Sequence, residues 1–95
     1  MKKDLTKVPG SISYEYLQVM PTIYALQADD KLTNQEKRDE ILVVAIQALN
    51  KATTNKTSTY ERKRNELFNA KTDDEIVRVM QETIINGQNY EDGRN

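Results

Sequence analysis

Neither histidine nor cysteine occurs among the 95 residues, so the chain offers no imidazole base, no thiolate nucleophile and none of the usual soft metal ligands. Any chemistry would rest on carboxylates, Lys, Tyr or Ser, and only two groupings come near a site. Asp29, Asp30, Glu36, Asp39 and Glu40 crowd around one polar turn. A calcium loop of the EF-hand type needs oxygen ligands at alternate positions, a central Gly and a terminal Glu. Here Lys31 and Leu32 occupy that stretch and no Gly is present, so the acids read as a solvated turn and the start of a helix. No metal, cofactor or catalytic residue is expected, and the chain reads as a non-enzyme.

The second grouping is basic. Arg62, Lys63 and Arg64, with Lys56 before and Lys71 after, form the one local concentration of positive charge. Short basic clusters grip phosphates, which makes a small nucleic-acid-binding regulator using Arg62, Lys63, Arg64 and Lys71 the alternative reading. Glu61 and Glu66 are interleaved, however, and spacings of three and four residues favour ion pairs along a solvated helix. The whole chain carries 14 basic and 15 acidic residues and lacks the electrostatic footprint of a nucleic-acid or anionic-lipid binder.

The elements that position these residues follow from apolar spacing and capping signals. Residues 1–10 end in Val8-Pro9-Gly10, have no period and read as a flexible lead-in. Ser11 or Ser13 caps the first helix, in which Ile12, Tyr16, Val19, Ile23 and Leu26 share one face. Pro21 lies inside this pattern and predicts a kink, or a break into two short helices, near Met20. Thr33-Asn34-Gln35-Glu36 is a capping box opening a second helix from Asn34 to about Ala52, whose run Ile41 to Ile46 predicts the most buried helix.

A polar loop from Thr53 to Thr57 leads to a second box, Ser58-Thr59-Tyr60-Glu61, and a helix to about Asn69 carrying Tyr60, Leu67 and Phe68. A third box, Thr72-Asp73-Asp74-Glu75, starts a last helix through Ile76, Val79, Met80, Thr83 and Ile84, with Asn86-Gly87 as its C-cap. Residues 88–95 read as a frayed polar tail. The expected fold is therefore all-α, a small antiparallel bundle of about four helices forming one domain over residues 11–87. The loop from Asn50 to Ser58 is too long and too polar for a helix-turn-helix.

Leu17, Met20 and Tyr24 form a second apolar strip beside the main face of the first helix, giving an arc of roughly half its circumference. Together with Tyr14 they are the expected contact for another protein or a second copy of the chain, since aromatic and Met side chains are favoured at interfaces. Val43 and Ile46 leave the main face of the second helix in the same way.

The absence of cysteine suits a reducing cytoplasm, and no apolar run approaches a membrane span or a signal-peptide core. Small bacterial and phage proteins such as bacteriocin immunity proteins and phage-encoded inhibitors share this size and helicity, a likeness of architecture only. The expected function is that of a non-catalytic protein-binding bundle, as inhibitor, immunity factor or adaptor.

Overall fold

The computed structural model describes residues 2–53 and 57–91. It contains four helices, α1 (Ile12–Gln27), α2 (Asn34–Lys51), α3 (Thr57–Asn69) and α4 (Asp73–Gln88). A two-residue antiparallel pairing joins β1 (Lys2–Lys3) to β2 (Tyr90–Glu91), in register Lys2 with Glu91 and Lys3 with Tyr90. No helix among the described residues is long and apolar enough to cross a membrane.

Two of the expected capping boxes form in full. Thr33 accepts from the Glu36 N–H while Glu36 returns to the Thr33 N–H, and Thr72 and Glu75 do the same at α4. Of the two candidate caps for α1, Ser11 fills the role and accepts from the Tyr14 N–H at 3.1 Å. The box at Ser58 does not cap, because α3 already includes Thr57 and Ser58. Residues 54–56 of the expected loop lie outside the described residues.

Tertiary hydrogen bonds fix the directions. Ser13 near the start of α1 donates to the Thr83 carbonyl late in α4, and Gln27 at the end of α1 donates to Asp73 and Asp74 at the start of α4. These two helices are antiparallel. The Thr53 N–H after α2 donates to the Gly10 carbonyl before α1, so α1 and α2 are antiparallel too. Arg38, early in α2, donates to the carbonyls of Phe68 and Ala70 at 3.1 Å, satisfying acceptors that the end of α3 leaves open.

The core gathers Ile12, Tyr16, Met20 and Ile23 from α1 with Ile41, Leu42, Ala45, Ala48 and Leu49 from α2. Ile76, Val77, Met80 and Ile84 of α4 join it with Ala70, whereas among the described residues α3 inserts only Leu67. The expected face of α1 is therefore buried at Ile12, Tyr16 and Ile23 and half-buried at Val19 and Leu26. α1 is a single helix through Pro21, so the split into two short helices does not occur. Within the run Ile41–Ile46 the core takes Ile41, Leu42 and Ala45 but leaves Val43 exposed.

Two glycines are required by geometry. Gly10 has φ of +90°, the left-handed region, and a Cβ there would collide with the Thr53 hydroxyl. Gly87, read from sequence as a C-cap, lies instead inside α4, which runs on to Gln88 with Asn89 as cap. Its hydrogen face lets α4 approach α1 so closely that a Cβ would overlap Ser13.

Residues 2–10, which show no periodicity, nonetheless pack on the bundle. Asp4 caps a 3₁₀ turn, Leu5–Lys7, by accepting from the Thr6 N–H, and Thr6 and Ser11 are buried. The start of the expected C-terminal tail is likewise ordered as β2, while residues 92–95 lie outside the described residues.

Candidate functional site

The four residues expected to contact a partner do not stay together. Met20 is 4% exposed and belongs to the core, because α1 is covered by α2 on one flank and α4 on the other, which buries a wider arc than a single neighbour would. Tyr14 is half-buried, and Leu17 and Tyr24 remain 38% and 46% exposed. The Tyr24 hydroxyl accepts from the Gln81 amide of α4 at 2.8 Å, so the strip lies along the α1–α4 seam.

That seam has a member the sequence reading missed. Ile85, 56% exposed, stands one helical turn beyond Gln81 on α4. The antiparallel pairing of Ser13 with Thr83 and of Gln27 with Asp73 sets Leu17 opposite the middle of α4, near Met80 and Gln81, with Ile85 further toward its C-terminal end. Leu17, Tyr24 and Ile85 are the exposed large apolar side chains of these two helices, and Gln81 of α4 reaches across to Tyr24. The signal was available in sequence, since Ile85 falls off the Ile76–Met80–Ile84 face as Val43 falls off that of α2.

The basic residues disperse. Arg62 and Lys63 lie 3.9 and 3.6 Å from Glu66, the intrahelical pairing expected, but only Arg62 is solvated, the Lys63 side chain being 16% exposed. Lys63 also donates to the Thr83 hydroxyl at 2.9 Å, while Arg64 sits over the Phe68 ring at 5.0 Å, a cation–π contact. Lys71 lies past the other end of α3, in a depression shared with Asp73 and Asp74. Arg62 and Lys63 thus border one cavity and Lys71 another, with Arg64 on the Phe68 ring.

The acids of the first turn have local roles. Asp29 accepts from the Lys31 N–H, Glu36 closes its capping box, and Asp39 accepts from Gln35 and Arg38. Among the described residues no group of three or more His, Cys, Asp or Glu is placed to hold a metal ion.

Two further features were not legible in the sequence. An open cavity of about 480 Å³ lies between α3 and the abutting ends of α1 and α4, with Leu5 and Tyr90 from the two terminal segments in its wall. The Tyr16 hydroxyl is fully buried with no hydrogen-bond partner among the described residues. Burial, with the nearby Glu66 carboxylate adding to it, pushes that phenol well above its ordinary range.

Fold and surface together describe a small helical bundle with exposed apolar side chains along the α1–α4 seam and an open cavity beside α3. No family profile, curated protein or solved structure matches the chain.

Proposed function

We propose that the chain is a non-catalytic bundle that acts by binding another protein, as an inhibitor, immunity factor or adaptor, through the α1–α4 seam. The observation that carries this reading is the exposure of three large apolar side chains, Leu17, Tyr24 and Ile85, 38%, 46% and 56% exposed, on the two helices of this seam. A cluster of large apolar side chains rimmed by Gln81, Gln27 and Asp74 has the anatomy of a binding patch, an apolar centre that a partner desolvates and a polar margin that fixes orientation. The sequence supports the non-catalytic half, since the usual bases and nucleophiles are lacking.

The first test is solution mass by light scattering across a concentration series, followed by host-extract capture with wild type and Leu17→Asp compared by mass spectrometry. The reading expects a monomer, unchanged helicity in the variant, and a defined protein held by wild type and lost from Leu17→Asp. Tyr24→Ala should weaken that complex by roughly tenfold, as for a central aromatic contact. A stable dimer broken by Leu17→Asp would reassign the seam to self-association, and a collapse of helicity would place Leu17 in the core. Identical captures by both proteins would remove the seam from function.

A further inference from the structure

We infer that the cavity beside α3 is a binding site for a small amphipathic anion, an apolar body carrying a single carboxylate such as a medium-chain fatty acid. Its volume, about 480 Å³, lies within the range of small-molecule sites. Three regions far apart in sequence build it: the 3₁₀ turn with the start of α1, α3, and the end of α4 with β2. The gap exists because α3 packs on α2 and touches α4 only sparsely, while Gly87 lets α4 close tightly on Ser13 instead.

The wall is more apolar than its residue types suggest. Ser11, Ser13 and Thr83 all line it, yet each hydroxyl is spent on the protein: Ser11 donates to the Leu5 carbonyl, Ser13 to the Thr83 carbonyl, and Thr83 to the Val79 carbonyl. Leu5, Ile12 and Tyr90 supply the carbon of the wall, with Thr59 and Asn86 as its remaining neutral polar side chains. That surface suits an alkyl or aryl body.

Charge is confined to the α3 rim. Arg62 and Lys63 line the cavity and, among the described residues, no acidic side chain does. Among the described residues Glu66 is the carboxylate paired with them and is shared by both, so two cations face one anion at the mouth. The Lys63 ammonium has three N–H donors, of which one is given to Thr83 and one faces Glu66. Arg62 is more open, its side chain 62% exposed and 3.9 Å from Glu66, so its guanidinium can turn to a ligand carboxylate as a two-point donor. A neutral apolar ligand would leave this rim unused.

The test is a titration of the ¹⁵N-labelled full chain with sodium octanoate, followed by amide shifts, with octanol as the uncharged control. The proposal expects saturable shifts at Ser13, Thr59, Lys63, Asn86 and Gly87, octanol at least about tenfold weaker, and affinity reduced about tenfold or more in Arg62→Gln. Arg62 is exposed enough that this variant keeps the fold. Lys63→Met, which also gives up the bond to Thr83, should lose more, and its helicity is read alongside. No saturable shift at millimolar octanoate, equal binding of octanol, or an Arg62→Gln variant that binds as wild type would each overturn the proposal. Shifts confined to Leu17, Tyr24 and Ile85 would do so as well, since they would place the ligand on the seam.

Discussion

At the scale of single residues, Tyr16 is where packing and polarity conflict. Its ring fills the centre of the bundle, but its hydroxyl lies in the core with no partner among the described residues. A buried hydroxyl without a hydrogen bond costs about 1–3 kcal/mol of desolvation. Tyr16→Phe keeps the ring and removes that cost, so it should leave stability unchanged or raise it by about 1 kcal/mol, measured by urea denaturation at neutral pH. The titration has a definite sign. Because burial raises the folded-state pKa, the neutral phenol's contribution is intact below the ordinary phenol value of about 10 and is lost as pH climbs beyond it, where the unfolded chain ionises and the folded chain resists. Wild type should therefore lose stability more steeply than Tyr16→Phe above pH 10. Parallel curves for the two proteins would show that the hydroxyl is solvated in the folded state.

At the scale of elements, Gly87 decides how α1 meets α4. In an exposed helix Gly→Ala gains up to about 1 kcal/mol of propensity. Here the new methyl would overlap Ser13, displace the hydrogen bond to the Thr83 carbonyl and strain the seam, so Gly87→Ala should destabilise by about 1–3 kcal/mol. Ser13→Ala should not rescue it, because the Ser13 Cβ itself stands 2.5 Å from the added atom. Stabilisation on calorimetry would mean that the helices part without cost. The same position marks the limit of reading elements from sequence. Asn86-Gly87 looks like a C-cap because a cap and a close helix approach both call for the same residue, and only the partner helix distinguishes them. The Thr33 and Thr72 boxes were legible because each follows a polar turn that ends the preceding helix, whereas Ser58 carries the same local pattern one residue inside α3. Leu17 and Tyr24 were legible as surplus apolar surface. Met20, on the same strip, was not separable from them, since its burial depends on α4 lying against that side of α1. Arg62 and Lys63 stood out by type, but the cavity they edge is assembled from segments with no shared local signal.

At the scale of the whole molecule, the bundle is unevenly held. α1, α2 and α4 exchange buried apolar side chains with one another, while α3 contributes Leu67 and relies on polar ties at its margins. Those ties are Arg38 to the carbonyls of Phe68 and Ala70, Tyr60 to Asn50 at 2.6 Å, and Lys63 to Thr83. Hydrogen bonds contribute about 1 kcal/mol each and exposed ones less, whereas a fully buried Leu or Ile contributes about 1.5–3 kcal/mol, so α3 has the smallest share of the stabilising burial. Local opening follows the elements with least buried apolar surface. Native-state hydrogen exchange should therefore show the amides of α3, Leu67 included, opening at a lower free energy than those of Ala45, Met80 or Ile23, which need global unfolding. Equal free energies across all four helices would make the bundle one cooperative unit and refute this hierarchy. The prediction also bears on the cavity, because α3 forms one of its walls. A ligand that binds only when α3 is docked raises the opening free energy of α3 by RT ln(1 + [L]/Kd) before it affects the rest of the bundle. Octanoate added to the exchange experiment should slow α3 selectively, while a partner on the α1–α4 seam should protect α1 and α4 and leave α3 exchanging as before.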